Sequence, residues 1–147
     1  MMIQNLDIKT YENPFPHSII YNFYDDAELK LIWEELNFYT KDGKLFEAKD
    51  FGGVIDKTNS KAIWLDKVYK DKYRSLSNIL TINRKIFDYR ILDAFSNIHD
   101  CCSIARDSNV DQTKVRYYHD GNFYEPHTDK TVQFLAFSYF YREPKRF

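Results

Sequence analysis

The chain predicts one α+β domain over residues 1–147, with helices in its first two thirds and strands toward its end. Three observations carry that prediction. Apolar residues recur at helical spacing over residues 26–36 and again over 75–99. Aromatic and β-branched residues crowd residues 15–23 and 113–141 in the manner of strands. Only 4 Gly and 4 Pro interrupt the chain, so few turns separate long elements. An apolar share of 44%, including 12 Tyr and 12 Phe, is enough for a packed core and argues against disorder.

Residues 15–23 predict a strand, because Pro14 and Pro16 forbid a helix start there. Asp25 and Glu28 have capping-box spacing, and Leu29, Ile32, Trp33 and Leu36 follow on one helical face. Asp42-Gly43 marks a turn and Gly52-Gly53 a second flexible point. Residues 56–61 read as a polar loop, and residues 62–69 resume apolar character. The longest helix is expected over 75–99, capped by Ser75 or Ser77, with Leu76, Ile79, Leu80, Ile86, Phe87 and Ile91 inward. Its other face, with Arg84, Lys85, Asp88 and Asp93, is expected to be solvated. Residues 113–118, 123–129 and 132–141 predict three strands. Asp120-Gly121-Asn122 serves as a hairpin connection, and a short second connection lies around Asp129-Lys130-Thr131.

Charge and composition exclude several function classes. The net charge is −1, from 21 basic and 22 acidic residues, with no basic stripe to neutralise phosphates, so nucleic acid is not expected as a partner. No apolar run approaches the roughly 20 residues of a membrane span. The first residues lack the pattern of a secretory leader, and the adjacent Cys101 and Cys102 are badly placed to bridge each other. A reducing cytoplasm is the expected compartment.

The candidate chemistry lies in His127 and Asp129. Two residues apart on a strand, they share one face, so an imidazole nitrogen and a carboxylate oxygen can hold one metal ion together. That pair is two thirds of the facial triad that binds non-haem Fe(II). His17, His99 and His119 are poorly placed to complete it. His99-Asp100-Cys101-Cys102 is too contiguous to converge on zinc and reads as a helix end with buried thiols.

Tyr118, Gly121, Tyr124, Pro126, His127 and Asp129 together resemble the Tyr-x-x-Gly-x-x-Tyr-x-x-His-x-Asp signature of prolyl-4-hydroxylase-like 2-oxoglutarate/Fe(II) dioxygenases. Residues 134–147 are similar to the strand and turn that follow in that family, and residues 13–20 to its entry strand. The resemblance implies an N-terminal strand and long helices packed on the first strands of a double-stranded β-helix, or jelly roll. It implies Fe(II) held by His127 and Asp129, and 2-oxoglutarate approached by the hydroxyls of Tyr118 and Tyr139. It implies hydroxylation of a peptidyl residue or a small molecule. The family's Gly-Gly-x-Leu turn, distal His and distal Arg or Lys do not follow before Phe147. The jelly roll is therefore expected to be incomplete and the 147 residues alone inactive. The other expectation is a non-catalytic remnant or one half of a split protein. Its unpaired strands would seek a complementing C-terminal segment or a second copy of the chain.

Overall fold

Asn22 ends the first sheet with a φ of 53°, a left-handed conformation that asparagine tolerates better than most residues. It sits in a computed structural model that describes residues 6–41, 43–47, 50, 58–107 and 112–126. Those residues form a mixed α/β fold with four α-helices and two small antiparallel sheets. The elements run β1 (Asp7–Tyr11), β2 (His17–Tyr21), α1 (Asp26–Tyr39), β3 (Lys61–Trp64), α2 (Leu65–Val68), α3 (Asn78–Asn83), α4 (Tyr89–Ser96) and β4 (Lys114–Tyr117). Among the described residues 3₁₀ segments also lie at Asp71–Leu76, Arg84–Phe87 and Asp100–Asp107.

The strand expected over 15–23 forms as β2. Its partner β1 was not expected. The two strands pair from Asp7↔Tyr21 to Tyr11↔His17. Alternation sends Ile8 and Ile20 toward a core of Phe23, Ile86, Ile91, Phe95 and Ala105. After Asn22 the expected capping box forms in full. Asp25 accepts the Glu28 N–H at 2.8 Å, and Glu28 accepts the Asp25 N–H at 3.0 Å. Helix α1 then buries Ile32 and Tyr39 in a second core with Ile63, Leu65, Ile79, Leu80 and Val115. Each fully buried aliphatic side chain in these cores contributes about 1.5–3 kcal/mol. Tyr24 packs against both cores and donates its hydroxyl to Asn83 at 2.7 Å.

The helix expected over 75–99 is broken. Ser77 caps α3 by accepting the Leu80 N–H, but a 3₁₀ turn follows at Arg84, and Asp88 is extended at φ −59°, ψ 128°. The cause is local competition for the backbone. Asp88 accepts the Arg90 N–H at 3.0 Å and so starts a new helix, α4, instead of continuing the old one. The polar face expected to be solvated is not uniformly so. Lys85 is buried against Glu28, with side chains 9% and 8% exposed. Desolvating that ammonium is tolerable because a carboxylate meets it and the rings of Phe23 and Tyr24 lie 5.2 and 5.7 Å from it.

In the second sheet β3 pairs with β4 from Lys61↔Tyr117 to Trp64↔Lys114, and Phe46 bridges Ala62 on the other side of β3. Asp66, in α2, accepts the Thr113 N–H and pairs with Arg74 at 2.6 Å, which fixes where β4 begins. Cys102 is half-buried in the last 3₁₀ segment, so the full burial expected of that thiol does not hold for it.

Candidate functional site

The signature begins on β4 and runs into a turn whose shape depends on residues far away in sequence. Gly121 has φ 81°, so the glycine expected to supply a left-handed turn residue does so. Asn122 donates its N–H to the His119 carbonyl at 2.9 Å, and its side-chain oxygen accepts the His119 N–H at 2.7 Å. Asn59 ties the turn to the facing segment that leads into β3. Its side chain accepts the Phe123 N–H at 2.8 Å and donates to the Gly121 carbonyl at 3.3 Å.

This turn is not the expected hairpin. Lys61 pairs with Tyr117 and Thr58 bridges Tyr124, both antiparallel. The chain therefore leaves the ladder after Tyr117 and rejoins the same partner strand at Tyr124. Three steps on one side face seven on the other, and the surplus loops out as an enlarged bulge. Such a bulge bends its strand and re-aims the side chains beside it.

Tyr118 and Arg116 lie two residues apart along this run, on the same face. Tyr118 is exposed at 45%, and its hydroxyl accepts from Arg116 Nη1 at 3.4 Å. The Arg116 guanidinium lies 4.2 Å from the centre of the Tyr124 ring and donates to Thr58 Oγ1 at 3.4 Å. Behind it Thr58 and Ser60 are buried and hydrogen-bonded to each other at 2.8 Å. Cation, ring and hydroxyls thus form one polar wall beside Tyr118. Residues 56–61 were expected to be a plain polar loop. Thr58, Asn59 and Ser60 instead hold the signature's turn, and nothing in their local sequence shows that contact.

Of the predicted site residues, Tyr118 is placed, and it stands with Tyr124 and Arg116. His127, Asp129 and Tyr139 lie outside the described residues, as do residues 127–129 of the strand expected over 123–129 and the whole strand expected over 132–141. Among the described residues no group of three or more His, Cys, Asp or Glu side chains is placed to hold a metal ion. His17 is on β2 with Nδ1 2.8 Å from the Phe15 carbonyl, and His119 packs edge-on against Tyr117. Among the described residues no helix is long and apolar enough to cross a membrane.

Compared with known proteins, the chain matches no family model, no curated protein and no solved structure.

Proposed function

We propose that this chain carries the metal-binding strand of a 2-oxoglutarate/Fe(II) dioxygenase of the prolyl-4-hydroxylase-like type, with its second sheet belonging to a jelly roll. The observation that supports the reading is the spacing from Tyr118 to Asp129, in which Gly121 takes the left-handed conformation and Tyr124 rejoins the ladder. His127 and Asp129 supply an imidazole nitrogen and a carboxylate oxygen as metal ligands. The exposed Tyr118 hydroxyl donates to a carboxylate of 2-oxoglutarate, with Tyr139 as a second hydroxyl donor. Bound iron contributes the oxidation that couples 2-oxoglutarate decarboxylation to hydroxylation of a C–H bond on a peptide or small molecule.

Anaerobic titration with Fe(II), or with Mn(II) followed by electron paramagnetic resonance, tests the ligand pair. Weak binding is expected, abolished in His127→Ala and retained in His119→Ala. Equal loss in both variants rejects the pair. These 147 residues contain no histidine after His127, so no succinate is expected from 2-oxoglutarate with them alone. Robust turnover would show that other residues complete the site.

A second reading, a binding or assembly module, draws support from the outer face of the β1–β2 sheet. Tyr11, Ile19 and Tyr21 are exposed there, with Phe15 beside them in the connecting turn. An apolar face on an open two-stranded sheet favours association with a second copy of the chain or with a complementing segment.

A further inference from the structure

We propose that Arg116 is the positioning residue of Tyr118, holding the phenol so that its hydroxyl proton points outward as a donor for a ligand carboxylate. The ligand, a 2-oxo acid, comes from the dioxygenase reading, on which this role rests. The geometry comes from described side chains. Arg116 Nη1 donates to Tyr118 Oη at 3.4 Å. A phenol carries one proton, and an oxygen that accepts from a guanidinium turns that proton away from the cation. Tyr118 is 45% exposed, so the proton is turned toward whatever meets that open side. A hydroxyl with no such neighbour rotates and accepts as readily as it donates.

Arg116 serves this purpose because its own place is defined. The guanidinium lies 4.2 Å from the centre of the Tyr124 ring, and Nη1 also donates to Thr58 Oγ1 at 3.4 Å. Each bond is long, so ring and hydroxyl hold the side chain together rather than singly. Thr58 is buried, and its Oγ1 accepts the Ser60 N–H at 3.3 Å as well. Those two bonds fill both lone pairs, so the Thr58 proton goes to Ser60 Oγ at 2.8 Å. Donation therefore has one direction: inward from Arg116 through Thr58 to Ser60, and outward from Arg116 to Tyr118. A planar guanidinium can lie on a ring and donate from its edge at once, whereas a lysine ammonium keeps only the charge. A carboxylate oxygen bonded to Tyr118 lies within roughly 6 Å of Nη1, so the charge also favours an anion over a neutral ligand.

Calorimetric titration of the full chain with 2-oxoglutarate, with and without Mn(II), is the test. Tyr118→Phe should weaken binding about tenfold, because it removes a hydrogen bond to a charged group. Arg116→Lys should weaken it by a similar factor in the wild-type background, but by less than about twofold in Tyr118→Phe. That coupling is the fingerprint of a residue acting through Tyr118, and a merely structural role would not produce it. Tyr124→Leu, which loosens the guanidinium and leaves Arg116 and Tyr118 in place, should lower affinity several-fold. The Tyr118 ring Cζ resonance should move in Arg116→Lys while that of Tyr39 stays. Equal losses from Arg116→Lys in both backgrounds, or wild-type affinity in that variant, overturn the positioning role. Failure of the wild-type chain to bind 2-oxoglutarate saturably overturns it as well. Binding indifferent to Mn(II) that keeps the coupling rejects the iron reading and leaves the role standing. Binding that needs Mn(II) but lacks the coupling does the opposite.

Discussion

Glu28 uses one carboxylate oxygen twice. Its Oε2 accepts the Asp25 N–H that closes the capping box and also meets Lys85 Nζ, 57 residues later in the chain. Removing one partner of such a buried pair strands the other charge. Lys85→Met should therefore cost about 3–5 kcal/mol in urea unfolding, against almost nothing for Lys30→Ala on the exposed side of α1. A cost below about 1 kcal/mol for Lys85→Met would show that Glu28 is solvated after all. Tyr39 gives a second residue-scale prediction. Burial, with a hydrogen bond to Tyr69 and the nearby Glu35 carboxylate, holds its phenol well above the ordinary range. The folded state then keeps a proton that the unfolded state releases above pH of about 10. Stability is therefore fully present below that pH and falls as pH rises beyond it, by about 1.4 kcal/mol per pH unit for this one group. In Tyr39→Phe the fall between pH 10 and 11 should be shallower than in wild type, although the variant starts about 1 kcal/mol lower because the hydroxyl bond is lost. Parallel pH curves for the two proteins would remove Tyr39 from the alkaline transition.

At the scale of elements, what was legible in the sequence was what is encoded within four residues. The capping box at Asp25 and Glu28 and the Ser77 cap are i to i+3 contacts, and each forms as its residues predict. The break at Asp88 was not legible, because apolar spacing continues through it at Ile86, Phe87 and Ile91 while one side chain redirects the backbone. Strand β1 was missed for a related reason. Its alternation over Asp7–Tyr11 offers one aliphatic residue, Ile8, whose burial depends on Ile20 across the pair. Helix α3 shows the same dependence on distant partners. Its cap is completed by Glu35 from α1, which accepts the Ser77 hydroxyl at 2.6 Å and the Ile79 N–H at 2.8 Å. A six-residue helix is too short to be stable by propensity alone, so this tether should matter. Glu35→Gln should cost about 1–3 kcal/mol by weakening charge-assisted bonds. The double variant with Ser77→Ala should cost less than the sum of the two singles, since both act through one cap. Additive costs in chemical denaturation would mean that Glu35 and Ser77 act independently.

For the whole molecule, two cores meet at Tyr24, and each is covered by a two-stranded sheet among the described residues. The candidate site was legible where backbone geometry follows from residue type, as at Gly121. It was not legible where the turn is held by Asn59 and Thr58, because side-chain bonds across more than 60 residues leave no local pattern. The β1–β2 sheet makes the last prediction. Its inner face, with Ile8 and Ile20, is packed, while Tyr11, Ile19 and Tyr21 form an apolar outer surface. Lys9 stacks 5.0 Å from the Tyr21 ring and pairs with Asp7 at 3.9 Å, placing charge near one end of that surface. Charge of this kind opposes edge pairing and leaves Ile19 and Tyr11 as the stickiest positions. Self-association of the chain should therefore be concentration-dependent and weak, and visible by sedimentation across a dilution series. Ile19→Lys should shift the chain toward monomer without lowering its unfolding midpoint by more than a small amount, because Ile19 is already exposed. Asp66→Ala, which loosens the other sheet, should destabilise the fold while leaving the same surface intact. A chain that is monomeric at every concentration, or an Ile19→Lys variant that associates as strongly as wild type, excludes this surface as the contact.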